Sequence, residues 1–527
     1  MKRRVILGGA PAALLAACGP QPSGPRPGEA PPAAGKPVKG GTLTIAMERD
    51  STNFDPNRLP DVYSAVVLNN VADTLFELDK NNTVVGRLVE KTENPQPNVY
   101  VFTLRQGVKF HDGTPFNAEA VKFNLQRHID DPRSVRIQDV KDITAIETPD
   151  QYTVRITLKA PFAPFTNKLT GGAGYMLSPT AVQKLGENLQ RDLTGAGSGP
   201  FKFVEWRKDT HVVLERNPES WRKDAEGTQL PYLDRLVFKP FPDENVRLTN
   251  IRTGDADVLL NNPPYKDVQN LKATSDLVVR EIPGLGWFFI ALSTDKEPFN
   301  NPALRRAVSY AIDREQIRRT VYFGNGKTLA GPIPEVIPWA HEKDHPYQKR
   351  DVAKAKQELA AGGKPNGFKF TLQLRSGSPE WQQATELMKD QLKEVGIDME
   401  IQLLEFAAIV SNALAGNHQA SSIGWSGGTD PDDDTYSLFF TKAGFNLAQY
   451  SNPQMDKLLN DGRTNLERNK RAEVYKQVQK LFFEEVPFII FYNSPQISTV
   501  RKNVQNYPQT YNGWWGTQDF DKIWKTQ

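Results

Sequence analysis

Two short runs in this chain carry the residue types of hydrolytic chemistry, and each has to be weighed against the elements that would position it. His341-Glu342-Lys343-Asp344-His345 has the spacing H-E-x-x-H. On a helix that spacing sets two imidazoles on one face, one turn apart, where they can hold zinc while the glutamate serves as general base. Here Pro332, Pro334 and Pro338 precede the run and Pro346 follows the second histidine directly. A residue before proline is pushed out of helical conformation, so a solvated loop is expected. A zinc hydrolase built on His341, Glu342 and His345 is the alternative from another functional class. Gly424-Trp425-Ser426-Gly427-Gly428 has the spacing of a nucleophile elbow, G-x-S-x-G. An elbow needs a helix at once after the serine and, in that fold, a histidine later in the chain. Thr429-Asp430-Pro431-Asp432 reads as a poor helix interior, and all six histidines (111, 128, 211, 341, 345 and 418) precede Ser426. That excludes the elbow's usual chain order. Gly195-Ala196-Gly197-Ser198-Gly199-Pro200 is glycine-rich but lacks the Lys-Ser/Thr of a phosphate cradle, so a tight chain crossing is expected there. Asp430, Asp432, Asp433 and Asp434 lack the glycine and glutamate spacing of a calcium loop.

The elements around these residues read as mixed α/β. Thr42–Ala46, Tyr100–Leu104 and Tyr152–Leu158 alternate like half-buried strands. Asp112-Gly113 signals a turn, and Asn117 is placed to cap a helix over Ala118–Arg127. Asn301-Pro302 opens another helix, with Leu304, Val308, Ala311 and Ile312 on one face. Further on, Phe368, Phe370, Leu372 and Leu374 alternate with polar residues, which leaves Arg375 on the polar face at a strand end. Ser378-Pro379 then opens a helix with Leu387, Met388, Leu392 and Val395 on its buried side. An alternating strand over Ile397–Leu403, a short helix over Ala407–Leu414 and a strand over Ala420–Trp425 follow.

The chain has 527 residues, with 65 Lys or Arg, 62 Asp or Glu and a formal charge of +3. Lys2, Arg3 and Arg4 account for the whole excess, and a neutral remainder argues against nucleic-acid binding, which needs surplus cations to displace counterions. A 38% hydrophobic fraction supports real cores. Lys2-Arg3-Arg4 followed by the apolar run Val5–Ala17 has the form of an export signal, 1–17. Arg3-Arg4-Val5-Ile6-Leu7 also resembles a twin-arginine signal, so the export route stays open between the two. The run ends in Leu15-Ala16-Ala17-Cys18, which resembles the lipobox of bacterial lipoproteins; Cys18, the single cysteine, is the expected lipidation site. From Gly19 to Lys39, 7 of 21 residues are proline and 4 are glycine, a composition that forms an extended tether over 18–39 rather than a core.

Tyr100 to Phe123 (YVFTLRQGVKFHDGTPFNAEAVKF) resembles the signature of the peptide/nickel class of extracytoplasmic solute-binding proteins, family 5. Five further segments resemble the same family in the right order. They are Gly40–Leu43 with Asp55-Pro56, Gly197–Trp206 with Asn217-Pro218, Asn301–Ile317 (NPALRRAVSYAIDREQI), Gly424-Trp425 with Asp430-Pro431, and Tyr475–Pro487. The resemblance implies an α/β fold: a two-lobe periplasmic-binding-protein clamshell of the class II type with an extra inserted domain. Domain I would comprise 40–80, 196–292 and 496–527, domain II the insertion 81–195, and domain III 293–495. It implies a lipid-anchored, monomeric receptor outside the cytoplasm that needs no cofactor, catalyses nothing, and hands a peptide or peptide-like solute to the permease and ATPase of an ABC importer. The alternative within that fold is a non-peptide ligand such as an opine, a sugar conjugate or a metal complex.

For the site, the resemblance implies ligand contacts from Arg375, Gly424, Trp425, Ser426 and Asp430. In dipeptide receptors of the family an arginine at a domain III strand end pairs with the ligand carboxylate, and an aspartate three residues after the tryptophan pairs with its α-amine. Arg375 matches the first, 50 residues before Trp425. At the second position stands Gly428, and the nearest acid is Asp430 beside Pro431. Asp430 is expected either to reach the cleft or to form a turn with the proline. A weaker requirement for a free amine follows from this departure.

Overall fold

The computed structural model describes residues 35–59, 61–260, 262–508 and 519–526, so Cys18 and the expected signal lie outside the described residues. Three main sheets organise the chain. In a seven-stranded sheet, Thr42–Met47 runs parallel to Arg235–Pro240 on one side and Val258–Leu259 on the other. The hairpin strands His211–Arg216 and Phe201–Arg207 extend one edge, and Leu277–Ile282 forms the other. Gln496–Arg501, from near the chain end, is inserted between Val258–Leu259 and Leu277–Ile282. Leu43, Ile45, Val212, Leu214, Leu236 and Phe238 alternate inward from these strands into one core.

A four-stranded antiparallel sheet follows the order Val89–Gln96, Val99–Leu104, Thr153–Leu158, Ile143–Asp150. The helix Ala118–Asp130 packs on it, capped as expected by the Asn117 side chain, which accepts from the Ala120 N–H. Asp73 ties this sheet to the seven-stranded one. Its carboxylate is fully buried and accepts from Arg87 Nε (2.9 Å), Arg222 Nε (3.2 Å), Trp221 Nε1 (2.9 Å) and Ser198 Oγ (2.8 Å). The glycine run serves close approach: a Cβ at Gly197 would stand 1.9 Å from the Val71 carbonyl oxygen.

The third sheet has the order Asp398–Leu404, Lys369–Arg375, Ala420–Trp425, Trp287–Leu292, Phe488–Asn493. The first three strands are mutually parallel, and the last two join antiparallel. The helix Pro379–Lys393 returns Lys369–Arg375 to Asp398–Leu404, burying Met388 and Leu392. Trp287–Leu292 hydrogen-bonds in this sheet, so the passage expected at 292/293 falls earlier, at 283–286, because the fully buried residues Trp287, Phe289, Ala291 and Leu292 belong to this core. The chain crosses between lobes there and again at 494–495. The two crossings touch: the Ser494 N–H donates to the Gly286 carbonyl at 3.1 Å, and Asn493 Nδ2 donates to Gly284 and Gly286. Away from the crossings the lobes meet again where the Ala163 N–H donates to the Arg463 carbonyl at 2.8 Å and Asn82 Nδ2 to that of Val336 at 3.0 Å.

Candidate functional site at the ends of the parallel strands

In open α/β sheets, ligand sites form beyond the carboxyl ends of parallel strands, where loops leave the sheet and helices begin. Lys369–Arg375 and Ala420–Trp425 end side by side, but their pairing stops at Leu374↔Ser422. The main chain of 423–425 therefore continues past the end of its neighbour and has no strand on that side. An extended ligand can add itself to such an edge.

Arg375 stands beside this gap, half-buried. Its guanidinium lies 5.2 Å from the Phe406 ring and 6.0 Å from that of Trp381. It forms no ion pair or hydrogen bond with any described residue, whereas Arg463 and Arg471 nearby in the same lobe are both paired with aspartates. A guanidinium flanked by rings and lacking an acid is a ready partner for a carboxylate. Phe406 is 47% exposed, and Trp381 meets Phe288 edge-on at 4.7 Å, so an apolar wall adjoins the cation.

The Gly424–Gly428 loop is held by close packing. A Cβ at Gly424 would touch Phe288 and Trp381 at 3.1 Å. Gly427 has φ +73°, and its Cβ would stand 2.1 Å from the Leu285 carbonyl oxygen, so only glycine lets the loop rest on the first inter-lobe crossing. Trp425 is anchored by its indole N–H, which donates to Asp434 Oδ1 at 3.1 Å. Trp287 Nε1 reaches the same oxygen at 3.4 Å. Burial pushes the Asp434 carboxyl well above the usual range, with the neighbouring Asp433 charge adding to it. Ser426 is exposed beside this edge.

Of the two expectations for Asp430, the turn with Pro431 is the one the structure shows, and the turn opens a helix. A helix, Pro431–Phe439, begins directly after it. Its N-cap is Asp430, whose Oδ1 accepts from the Asp432 N–H at 2.9 Å, and Pro431 fills the first turn. The same carboxylate is buried and held bidentately by Arg471, at 2.8 and 2.5 Å. Asp430 is thus turned to partners in the interior of its own lobe. Burial alone raises its carboxyl, but Arg471 more than offsets this and the net shift is downward. Asp432 is likewise held by Arg463, and Asp433 by Lys168.

The hydrolytic readings find no support in the geometry. His341 and His345 lie in a loop without a helical turn. His341 Nδ1 donates to the Ile333 carbonyl at 2.7 Å, and His345 Nδ1 accepts from the Tyr347 N–H while its ring stacks on Phe483. Among the described residues, no three metal-capable side chains converge. Ser426 is followed by a four-residue loop before the helix at Pro431, and no described histidine hydrogen-bonds it.

The structure thus gathers Arg375, Gly424, Trp425 and Ser426 at one edge and removes Asp430 from it. Sequence reasoning missed Trp381, Phe406 and Lys168. For the first two, the signal was position in the opening turns of the helices that follow the parallel strands.

Comparison with known proteins identifies the family and the fold. The profile of "Bacterial extracellular solute-binding proteins, family 5 Middle" matches residues 83–446. The glutathione-binding protein GsiB of Pectobacterium atrosepticum is 30% identical over 475 residues, 88% of this chain and 90% of that one. Among solved structures, the periplasmic binding protein DppA of Helicobacter pylori in complex with the peptide STSA aligns with TM-score 0.74 and 26% identity, over 93% of this chain and 99% of that one. The oligopeptide-binding protein AppA of Bacillus subtilis, in complex with a nonapeptide, gives 0.73 and 26% over 93% and 100%. With a family match over residues 83–446 and a relative 30% identical over most of both chains, the chain belongs to the bacterial extracellular solute-binding proteins, family 5.

Proposed function

We propose that this protein is the substrate receptor of an ABC importer that captures peptides or peptide-like solutes between its lobes and catalyses no reaction. The observation that carries the reading is Arg375, a half-buried guanidinium without an acidic partner among the described residues, set beside the unpaired main chain of 423–425. A peptide-like ligand satisfies both at once, its backbone continuing the sheet and its carboxylate meeting the arginine. The relatives support this class of ligand, since the GsiB protein is named for glutathione and the DppA and AppA structures hold peptides. The two adjacent crossings at 283–286 and 494–495 serve as the hinge, and closure presents the loaded form to the permease and its ATPase. In this reading domain III begins at Trp287, and the remaining domain limits are those expected above. Cys18 carries a lipid, and the Pro/Gly-rich tether to Lys39 holds the monomeric receptor at the outer face of a membrane.

Mass spectrometry of solutes released from the purified protein identifies the ligand. Calorimetry with that ligand on Arg375→Ala then tests the site. A truncated charge pair costs about 2–5 kcal/mol when desolvated. The partial exposure of Arg375 places the loss at the lower end, on the order of 30-fold in affinity. Unchanged affinity would remove Arg375 from the site.

A further inference from the structure

Residues 428 and 433 compete for one side-chain space. A Cβ built on Gly428 would lie 2.2 Å from the Asp433 Cβ and 2.3 Å from its Oδ2. The first turn of helix Pro431–Phe439 thus brings a carboxylate back to the loop at the point where a side chain of residue 428 would stand. That carboxylate is already answered from within the protein. Its Oδ1 is held by the ammonium of Lys168, and its Oδ2, turned against Gly428, is buried and accepts no hydrogen bond.

Lys168 comes from the other lobe, 265 positions away, at the end of the short helix Phe165–Lys168. Its neighbour Asn167 accepts from the Thr429 hydroxyl at 2.9 Å, so two adjacent side chains fit onto the 429–433 turn. The side chains of Lys168 and Asp433 are 14% and 3% exposed, and separating a pair this buried leaves an uncompensated charge. Asp430 is committed to Arg471 and Asp432 to Arg463, while Asp434 gives one oxygen to the indoles of Trp287 and Trp425 and has no cation beside it among the described ion pairs. Among the described residues the strand edge therefore offers Arg375 as a cation without an acid, while of residues 430–434 three carboxylates are paired with cations and the fourth, Asp434, is pushed toward its neutral form by burial.

We infer that Lys168 is a specificity-determining residue: its ammonium takes the counter-ion position that Asp433 would otherwise offer to a ligand amine, so the receptor selects anionic solutes and gains nothing from a free amine. The inference rests on the reading of the protein as a peptide-type receptor and narrows its ligand class. A ligand ammonium brought to this end of the site meets Lys168, a like charge, where it would need an acid.

The test uses an equimolar mixture of glutathione, Met-Leu and the N-acetylated form of each, with retained solutes counted by mass spectrometry. Wild type is expected to hold free and acetylated forms within about threefold of each other. Lys168→Met, which keeps length and removes charge, is expected to favour free amines at least tenfold, and Lys168→Met combined with Asp433→Asn to return to about parity. Asp433→Asn alone, which takes away the acid that holds the lysine and leaves it the charges of Asp139 and Asp432, is expected to favour the acetylated forms and serves if Lys168→Met does not fold. A strong wild-type preference for free amines, or a ratio unmoved by these variants, overturns the inference alone. Retention of none of the four solutes by wild type overturns it together with the peptide reading.

Discussion

Replacing Asp430 separates a structural role from a ligand role. In Asp430→Asn the cap survives, because asparagine caps as well as aspartate, but the buried guanidinium of Arg471 loses its counter-charge. It keeps the Gly462 carbonyl at 2.8 Å and the rings of Trp339 and Tyr475. Breaking a buried pair from one side costs about 3–5 kcal/mol. Asp430→Ala also removes the bond to the Asp432 N–H, adding about 1 kcal/mol. Against a total stability of about 5–15 kcal/mol, either loss is large. Urea unfolding of the ligand-free protein, followed by tryptophan fluorescence, reads both variants, with the transition of the five-stranded lobe moving first. Because the folded Asp430 carboxyl titrates below its ordinary value, its contribution is present above that value and is lost as the pH falls through the folded one. The gap between wild type and Asp430→Asn therefore closes in acid. Affinity of the folded variants for ligand should stay within about threefold of wild type. An Asn variant as stable as wild type, but deficient only toward ligands with a free amine, would refute this account and return Asp430 to the site.

Other consequences can be checked separately. Cys18→Ser should move the protein from membranes to the soluble fraction, and retention of that variant in membranes would disprove the anchor. Saturation with ligand should lower the radius of gyration in small-angle scattering as the crossings at 283–286 and 494–495 bend; an unchanged radius counts against hinge closure. Gly428→Ala places a methyl where Asp433 stands, and a loss of about 1–3 kcal/mol in unfolding free energy is expected, an unchanged value showing that Asp433 moves away freely. Burial pushes His111 and His418 down to about 4 and His128 to about 3, so the stability these neutral rings supply is present above about pH 6.5 and lost as the pH falls toward 4. Asp433, pushed up by burial to about 6, acts with the opposite sign, as do Glu77 and Asp434, so the rings must be read singly: NMR titration of the folded protein should find these three imidazoles still neutral at pH 5, and protonated rings there would contradict the histidine environments.

The parallel strands and the lone arginine were legible because both depend on local pattern. Lys369–Arg375 alternates so regularly that its last residue had to fall on the polar side of a strand end, and the rule for parallel sheets does the rest. The helix Pro431–Phe439 was misjudged although its signals were present. Asp432, Asp433 and Asp434 look like poor helix formers, but in a first turn they complement the macrodipole behind an aspartate cap and a proline. That helix takes Asp430 inward and carries Asp433 back to Gly428. Lys168 was beyond reach for another reason. It sits in a four-residue helix with no pattern of its own, and its role is set by a partner in the other lobe. The 292/293 limit failed because Trp287–Leu292 is apolar on both faces, which fits a strand in either lobe equally well.

The placement of Gln496–Arg501 in the interior of the seven-stranded sheet bears on how the protein comes to be folded at all. The four-stranded sheet uses a single stretch, 89–158, and can assemble as soon as that stretch is free. The larger sheet waits for a strand made after all its others, since until Arg501 arrives the strands Val258–Leu259 and Leu277–Ile282 have no partner between them. Such distant pairings are slow, and an incomplete chain exposes two open strand edges to other chains. A ribosome stalled before residue 496 therefore yields a product with a finished insertion and an unfinished lobe, a natural substrate for proteases and chaperones, whereas one that stops after 501 yields the whole sheet.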